Sequence, residues 1–477
     1  MKDDIRVPKS LLVIGNGFDL SCGLRSNYLS FLTNILSSKI NSKELEVIEK
    51  IKQGLRNYIE KSEHFWNASP QQLIAIIGDN NRFILDLNIW YLLFVYKDMI
   101  HDINWYLIED QIASELLGDH NNLNIVEKIG DTLLGIYGGK VNYKGRKGRL
   151  YCRTKTNTYD EENLIDKIYE LFAYCLLHKN LGSLDRNNKA VFQELRDTVQ
   201  RLGDEYKELS SQNKINRSPY FETFEQKIIS VLFPLVAQAL LAELNELEGD
   251  FRNYLRECTF TSTSIITYTE NAESHFRQIL APVNVDRGYS DIVDFNILSF
   301  NYTTPWDNYT APWETPNNKI FEKVFDSINI HGKISNSDGI IFGIDDEKIA
   351  PTQNEFIFSK VSRTLDLITL SNHRKNFEEL LSTSIENVVF YGHSLSIADY
   401  GYFRMIFNKY VENPKVKFYF TFKVYEGTTE DKERKKIVKK ISELFGKYSI
   451  DKEKNTDIFQ NLIHNQRIEI IPLEMFI

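Results

Sequence analysis

Strand-like runs occur only at the two ends of this chain, and that distribution constrains its fold more than any other feature. Near the start there is "SLLVIGNG". After residue 288 the runs recur as "IVDFNILSFNY", "INIHG", "GIIFGID", "NVVFYGHSL", "KVKFYFTFKVY" and "RIEIIPL". Continuous apolar runs rich in Val, Ile, Phe and Tyr suit strands covered on both faces, hence a parallel sheet flanked by helices. Helical patterns such as "RKNFEELLSTSIE" and "KERKKIVKKISELFGKY" separate several of the runs, as an α/β layered domain requires. Between 37 and 287 the apolar residues instead recur at three- and four-residue spacing, which reads as amphipathic helices. The expected architecture is therefore a Rossmann-like, mostly parallel sheet from residues 1–36 and 288–477. A helical domain, 37–287, is inserted after the first strand-helix unit.

The chain is an ordinary globular protein in bulk: 477 residues, 42% apolar and 26% charged, with 30 Phe and 25 Tyr. Its net charge of −9 gives no reason to expect nucleic-acid binding. Four cysteines, Cys22, Cys152, Cys175 and Cys258, contain no C-x-x-C pair, so neither structural zinc nor a disulfide framework is expected. The N-terminal residues lack the apolar core of a signal peptide. The most apolar stretch, "IISVLFPLVAQALLA" from Ile228, falls short of the roughly 20 residues that span a bilayer, and reads as a buried helix. A cytoplasmic protein without membrane contact is the expectation. The basic, glycine-rich segment 137–155 reads as an exposed loop.

Four strand ends carry polar residues suited to chemistry. The first strand stops at Gly15-Asn16-Gly17, where two residues without a Cβ let the backbone approach a ligand. A helix near Leu24 to Thr33 is expected to aim free N–H groups at a phosphate. Leu20 breaks the dinucleotide pattern G-x-G-x-x-G. A second run ends in Ser299-Phe300-Asn301, whose amide both donates and accepts. His331 ends a third run before a glycine, and an imidazole works as a base near neutral pH. The fourth, "VVFYGHSLSIADY", presents Gly392, His393, Ser394 and Asp399, with Ser396 where a nucleophile elbow needs Gly. Right-handed crossovers bring these ends to one edge of the sheet, where open α/β sheets bind ligands.

The order and spelling of these motifs resemble the AbiH family of bacterial abortive-infection proteins: "IGNGFDLSCGL", "WYLIEDQI" (Trp105, Glu109), "LEGDFRNYL", "FNYTT", "HGK" and "YGHSLSIADY". A fainter resemblance links them to sirtuin-like NAD-consuming proteins, through glycines spaced as Gly15, Gly17 and Gly23, an Asn like Asn301, a His-Gly like His331-Gly332, and Gly392 to Leu395. The four-cysteine zinc module of sirtuin deacylases is missing. Arg25 and Asp19 stand where a proline and a serine are expected, which leads away from peptide deacylation and toward the defence branch. The resemblance implies an antiphage effector that hydrolyses NAD as substrate, with no prosthetic group and no metal, assembling as a homo-oligomer and responding to a phage-derived trigger or partner protein. It implies Asn301 and His331 as catalytic residues. Gly15, Asn16, Gly17, Asp19, Gly23, Gly392, His393, Ser394 and Asp399 would hold the nucleotide. Trp105, Glu109 and Asp110 fall on one helical stretch, which reads either as a lid over the pocket or as packing with a surface carboxylate. Two alternatives are a non-hydrolytic nucleotide sensor controlling a partner, and a metal-dependent nuclease using Asp19, Asp345, Asp346 and Asp399.

Overall fold

A computed structural model describes residues 6–40, 44–61, 75–100, 108–118, 123–138, 143–144, 150–151, 161–212, 223–224, 226–260, 262–284, 293–307, 320–335, 339–344, 349–370, 377–396, 399–424, 427–451 and 458–473. Six strands form one sheet: β1 Ser10–Ile14, β2 Phe295–Ser299, β3 Val324–Asn329, β4 Asn387–Tyr391, β5 Lys417–Phe422 and β6 Ile468–Pro472. Every neighbouring pair is parallel, and the order across the sheet is β3-β2-β1-β4-β5-β6. This is the doubly wound Rossmann arrangement, with the order reversing between β1 and β4.

Alternate residues of each strand feed two cores. Leu11, Val13, Leu298, Val388, Phe390, Phe418 and Phe420 pack on one face against helices α3 (Tyr400–Tyr410) and α4 (Glu430–Asp451). Leu12, Ile14, Ile297, Val389, Tyr391 and Tyr419 pack on the other against Phe18 and helix α2 (Ser262–Leu280). Burial on both faces explains why these strands read as unbroken apolar runs. Aromatic rings pack on one another within these cores, as Phe390 on Phe420 (4.7 Å) between neighbouring strands, and Phe407 on Phe445 (4.4 Å) and Phe18 on Phe276 (4.9 Å) between helices.

The chain forms two compact units. The sheet unit comprises 1–27, 251–341 and 364–477; the helical unit comprises 28–250 and 342–363. Residues 251–287, expected in the helical block, thus group with the sheet, and the short return segment 342–363 groups with the helices. That segment contains most of "GIIFGID", expected as a strand. Among the described residues "GIIFGID" supplies no strand to the sheet: its ladder contacts are the single bridges Gly332 to Ile340 and Ile344 to Ser359. The backbone N–H groups of Phe342 and Gly343 go instead to the carboxylates of Glu248 and Glu109.

Within the helical unit, Ile89–Ile100 is buried on all sides from Ile89 to Tyr96. One helical stretch, Ile228–Phe260, is long and apolar enough to cross a membrane by length and composition, but 61% of its apolar window is buried inside the structure. Its apolar residues serve protein packing, as expected for a core helix.

The first strand turns at once into the short helix α1, Asn16–Ser21, rather than into a helix near Leu24. Gly23 stops α1 because its φ of +85° is a left-handed conformation that residues with a Cβ disfavour. The next helix begins only at Tyr28.

At the reversal point, the α1 turn lies directly on the turn after β4. The N–H of Gly15 donates to Tyr391 O (3.1 Å), and that of Gly17 to Gly392 O (2.7 Å). A Cβ on Gly392, which has φ +69°, would lie 2.4 Å from Phe18 N. We predict that Gly392→Ala, burdened by both left-handed strain and overpacking, loses about 2–4 kcal/mol in urea unfolding. Gly401→Ala, in open space on α3, should be neutral or stabilising. Equal stability of Gly392→Ala and the parent protein would contradict the contact.

Candidate functional site

The register pairs Ser299 of β2 with Asn329 of β3. Asn301 and His331 therefore stand two residues beyond the same rung, at the carboxyl edge of the sheet. Asn301 is 3% exposed and His331 4%. Neither polar atom of the Asn301 amide meets a hydrogen-bond partner, and His331 Nε2 meets none either. Leaving a buried polar atom unpaired costs about 1–3 kcal/mol, so such a cluster at a sheet edge marks a place built for something other than packing.

The backbone around Asn301 is held independently of its side chain. Its N–H donates to Ser299 Oγ (3.1 Å), and its carbonyl accepts from Asn329 Nδ2 (2.7 Å), which also reaches Thr303 O (3.1 Å). Asn329 Oδ1 is a further unpartnered buried atom. Polar scaffolding thus fixes where the Asn301 amide begins while leaving the amide itself unused.

Asp19 lies on α1 and is buried. Thr303 Oγ1 donates to its Oδ2 (2.7 Å), Tyr268 Oη donates to its Oδ1 (2.8 Å), and the two hydroxyls are 2.9 Å apart. Burial pushes the Asp19 carboxyl up to about 6, opposed by the hydroxyls of Thr303 and Tyr268. The Asn301 amide is also near enough to favour the ionised form, though outside hydrogen-bonding geometry. Neither Thr303 nor Tyr268 was expected here. Thr303 is legible only as part of "FNYTT", and Tyr268 lies on a helix in the block that reads as an insertion.

On the other side of Asn301, Phe300 contacts two imidazoles, His331 at 5.8 Å and His393 at 4.2 Å between ring centres. Asp399 Oδ1 lies 3.4 Å from His331 Nε2, and its Oδ2 lies 3.2 Å from His393 Nε2. Tyr402 of α3 closes on His331 at 6.2 Å. Asn301, His331, His393 and Asp399 are thereby joined through Phe300, while Asp19 adjoins Asn301 from α1.

The glycines have local structural work. Both Gly15 and Gly17 lie where a Cβ would meet the Gly392-His393 backbone at 2.7 Å. Because Gly17 N–H is taken by Gly392 O and Phe18 N–H by Gly15 O, these two α1 donors are already satisfied. The Asn16 side chain locks to Ser26, accepting from its Oγ at 2.6 Å. Ser394 is exposed.

Of the remaining candidates, Trp105, Asp345 and Asp346 lie outside the described residues, as does most of segment 137–155. In that segment Tyr143–Lys144 and Leu150–Tyr151 pair as a small hairpin. Among the described residues no group of three or more His, Cys, Asp or Glu is arranged to hold a metal ion. Glu109 has a structural partner set: it accepts from Gly343 N–H (3.2 Å) and Lys360 Nζ (3.2 Å). Glu248, from "LEGDFRNYL", matches it by accepting from Phe342 N–H (2.6 Å) and Arg363 Nη2 (2.6 Å). Two carboxylates in two of the motifs therefore clamp the return segment to the helical unit.

The fold and the edge-of-sheet cluster define a doubly wound α/β protein with a polar site beyond its strand ends. The family model for bacteriophage abortive infection AbiH matches residues 11–422, from inside β1 to the last residue of β5. The chain belongs to the AbiH family, and with it to proteins of phage abortive infection. No curated protein and no solved structure matches it.

The Asp19 environment has a measurable consequence. Because its folded value lies above the usual 3.8, the native state binds the proton more tightly than the unfolded chain. The stabilisation is complete below about pH 4 and is lost as pH rises through about 6, a span of about 3 kcal/mol. Asp19→Asn, which cannot ionise, should remove this dependence. The parent-minus-variant stability difference in denaturant should fall by about that amount between pH 4 and pH 7. A pH-independent difference would contradict the burial of an ionisable Asp19.

Proposed function

We propose that this chain is a cytoplasmic abortive-infection effector that binds NAD at the carboxyl edge of its sheet and hydrolyses the nicotinamide–ribose bond. The observation that carries this reading is the buried Asn301 amide with both polar atoms unused, set beside His331 at matching positions past neighbouring parallel strands. In a doubly wound sheet this edge is where nucleotides sit. The motif resemblance to sirtuin-like NAD-consuming proteins supplies the substrate class.

The reaction asks little acid chemistry of the protein. Nicotinamide leaves NAD as a cationic ring that takes the bonding electron pair and departs neutral. What must be stabilised is the oxocarbenium-like ribose, and what must be positioned is a water. Asn301 holds ribose hydroxyls and the water; His331 accepts the water's proton as its oxygen bonds to the ribose carbon. Gly15, Asn16, Gly17, Gly392 and Ser394 lie on the two turns nearest the phosphates. A homo-oligomer released from inhibition by a phage-derived trigger fits the biological role of the family.

One observation favours a second reading, a nucleotide sensor without turnover. The α1 and β4 turns are bonded to each other at the reversal point, so a phosphate entering there parts them, and in this reading that movement signals to a partner.

Purified protein incubated with NAD, with and without phage lysate, should release nicotinamide. Asn301→Ala and His331→Ala, folded by circular dichroism, should each lower the rate at least ~100-fold. Unchanged turnover in either variant would overturn the catalytic assignment, and tight NAD binding without turnover under any condition would select the sensor.

A further inference from the structure

We propose that Asp399 is a positioning residue that holds His331 in the tautomer with its proton on Nε2, leaving Nδ1 as the basic nitrogen; this rests on the hydrolytic reading only for its consequence in catalysis. Asp399 occupies the N-cap position of α3, where an aspartate ordinarily accepts from the first turn's N–H groups. Its side chain makes no such cap. Its two oxygens face two imidazoles instead, at 3.4 and 3.2 Å.

The proton positions follow from the partners. The N–H of Leu395 donates to His393 Nδ1 at 2.8 Å, so that nitrogen carries the lone pair and Nε2 carries the hydrogen. His393 Nε2–H therefore points at Asp399 Oδ2. The other oxygen, Oδ1, confronts His331 Nε2. A carboxylate only accepts, and a lone pair on Nε2 would face a negative oxygen in a site where all three side chains are at most 9% exposed. Low local dielectric magnifies that repulsion, so the proton belongs on His331 Nε2. The 3.4 Å separation is long for a hydrogen bond and shortens when the ring becomes cationic, as catalytic contacts in unliganded sites commonly do.

The arrangement runs from Leu395 N–H through His393 and Asp399 to His331. Its origin is local: the Leu395 N–H returns to the ring two residues before it, in a turn where Leu395 itself adopts φ +52°, a conformation unusual outside glycine. Phe300 packs against both imidazoles and leaves them little freedom to rotate. His393 and Asp399, expected to touch nucleotide, serve instead to aim a base. In hydrolysis a water O–H bond breaks and its proton goes to His331 Nδ1. The water oxygen bonds to the ribose carbon as the carbon–nitrogen bond breaks, its electron pair passing to nicotinamide. Asp399 then faces an imidazolium, whose charge it balances.

Nitrogen-15 NMR of histidine-labelled full-length protein reads the tautomer directly, with His331→Ala identifying the signals. The parent protein should give the Nε2–H pattern for His331, and Asp399→Asn should shift it toward Nδ1–H or a mixture. In steady-state kinetics Asp399→Asn should lower kcat ~100-fold with KM little changed. An Nδ1–H pattern in the parent overturns the proposal without any variant, as does an unchanged pattern in a folded Asp399→Asn. The expected pattern in a protein that releases no nicotinamide supports the positioning role while sinking the hydrolytic reading.

Discussion

Direct backbone contact between two glycine turns is the constraint on which the sheet unit depends. Gly15 and Gly17 on one side and Gly392 on the other approach so closely that no Cβ fits. Their hydrogen bonds tie the end of β1 to the end of β4. Because β1 and β4 flank the point where strand order reverses, this contact joins the two halves of the sheet at their carboxyl edge. It also sets the level from which Asp19 descends into the core and from which His393 reaches toward Asp399. In many doubly wound proteins glycines at this point make room for a phosphate. Here they make room for the neighbouring turn, and the polar atoms left without partners lie one and two strands away, at Asn301, Asn329 and His331.

Burial then divides the edge into two chemically different halves. Around Asp19 both carboxylate oxygens have donors, Thr303 on one and Tyr268 on the other. Around the Asn301 amide the contacts are unfilled, although the backbone beneath is pinned by Ser299 and Asn329. A rigid frame carrying unsatisfied groups is the pattern of a preorganised site. The frame costs stability in the unliganded protein, and that cost is recovered when a ligand supplies the missing partners.

Much of the layout was legible because strand burial and strand sequence obey the same rule. Runs covered on both faces read as unbroken apolar stretches, so β1, β2, β4 and β5 were found, and the half-buried edge strand β6 was legible from its isoleucines. "GIIFGID" misled for the same reason: its apolar residues are buried, but the N–H groups of Phe342 and Gly343 go to Glu248 and Glu109 instead of a strand ladder. The glycines were legible as special positions, while their neighbour was not, since a backbone contact between segments so distant in sequence leaves no local signal. Tyr268 was out of reach for a related reason, because an amphipathic helix does not announce which sheet it covers. Asn301 and His331 stood out because a polar residue that ends an apolar strand must go somewhere.

The unused polar atoms of the Asn301 amide face a ligand that lies beside His331. An experimental structure of the protein with NAD or ADP-ribose bound tests this placement most directly. The expected result is a ribose within hydrogen-bonding distance of the Asn301 amide and close to His331, at the carboxyl ends of β2 and β3. A ligand seated elsewhere, with the Asn301 amide still unpartnered, would contradict it.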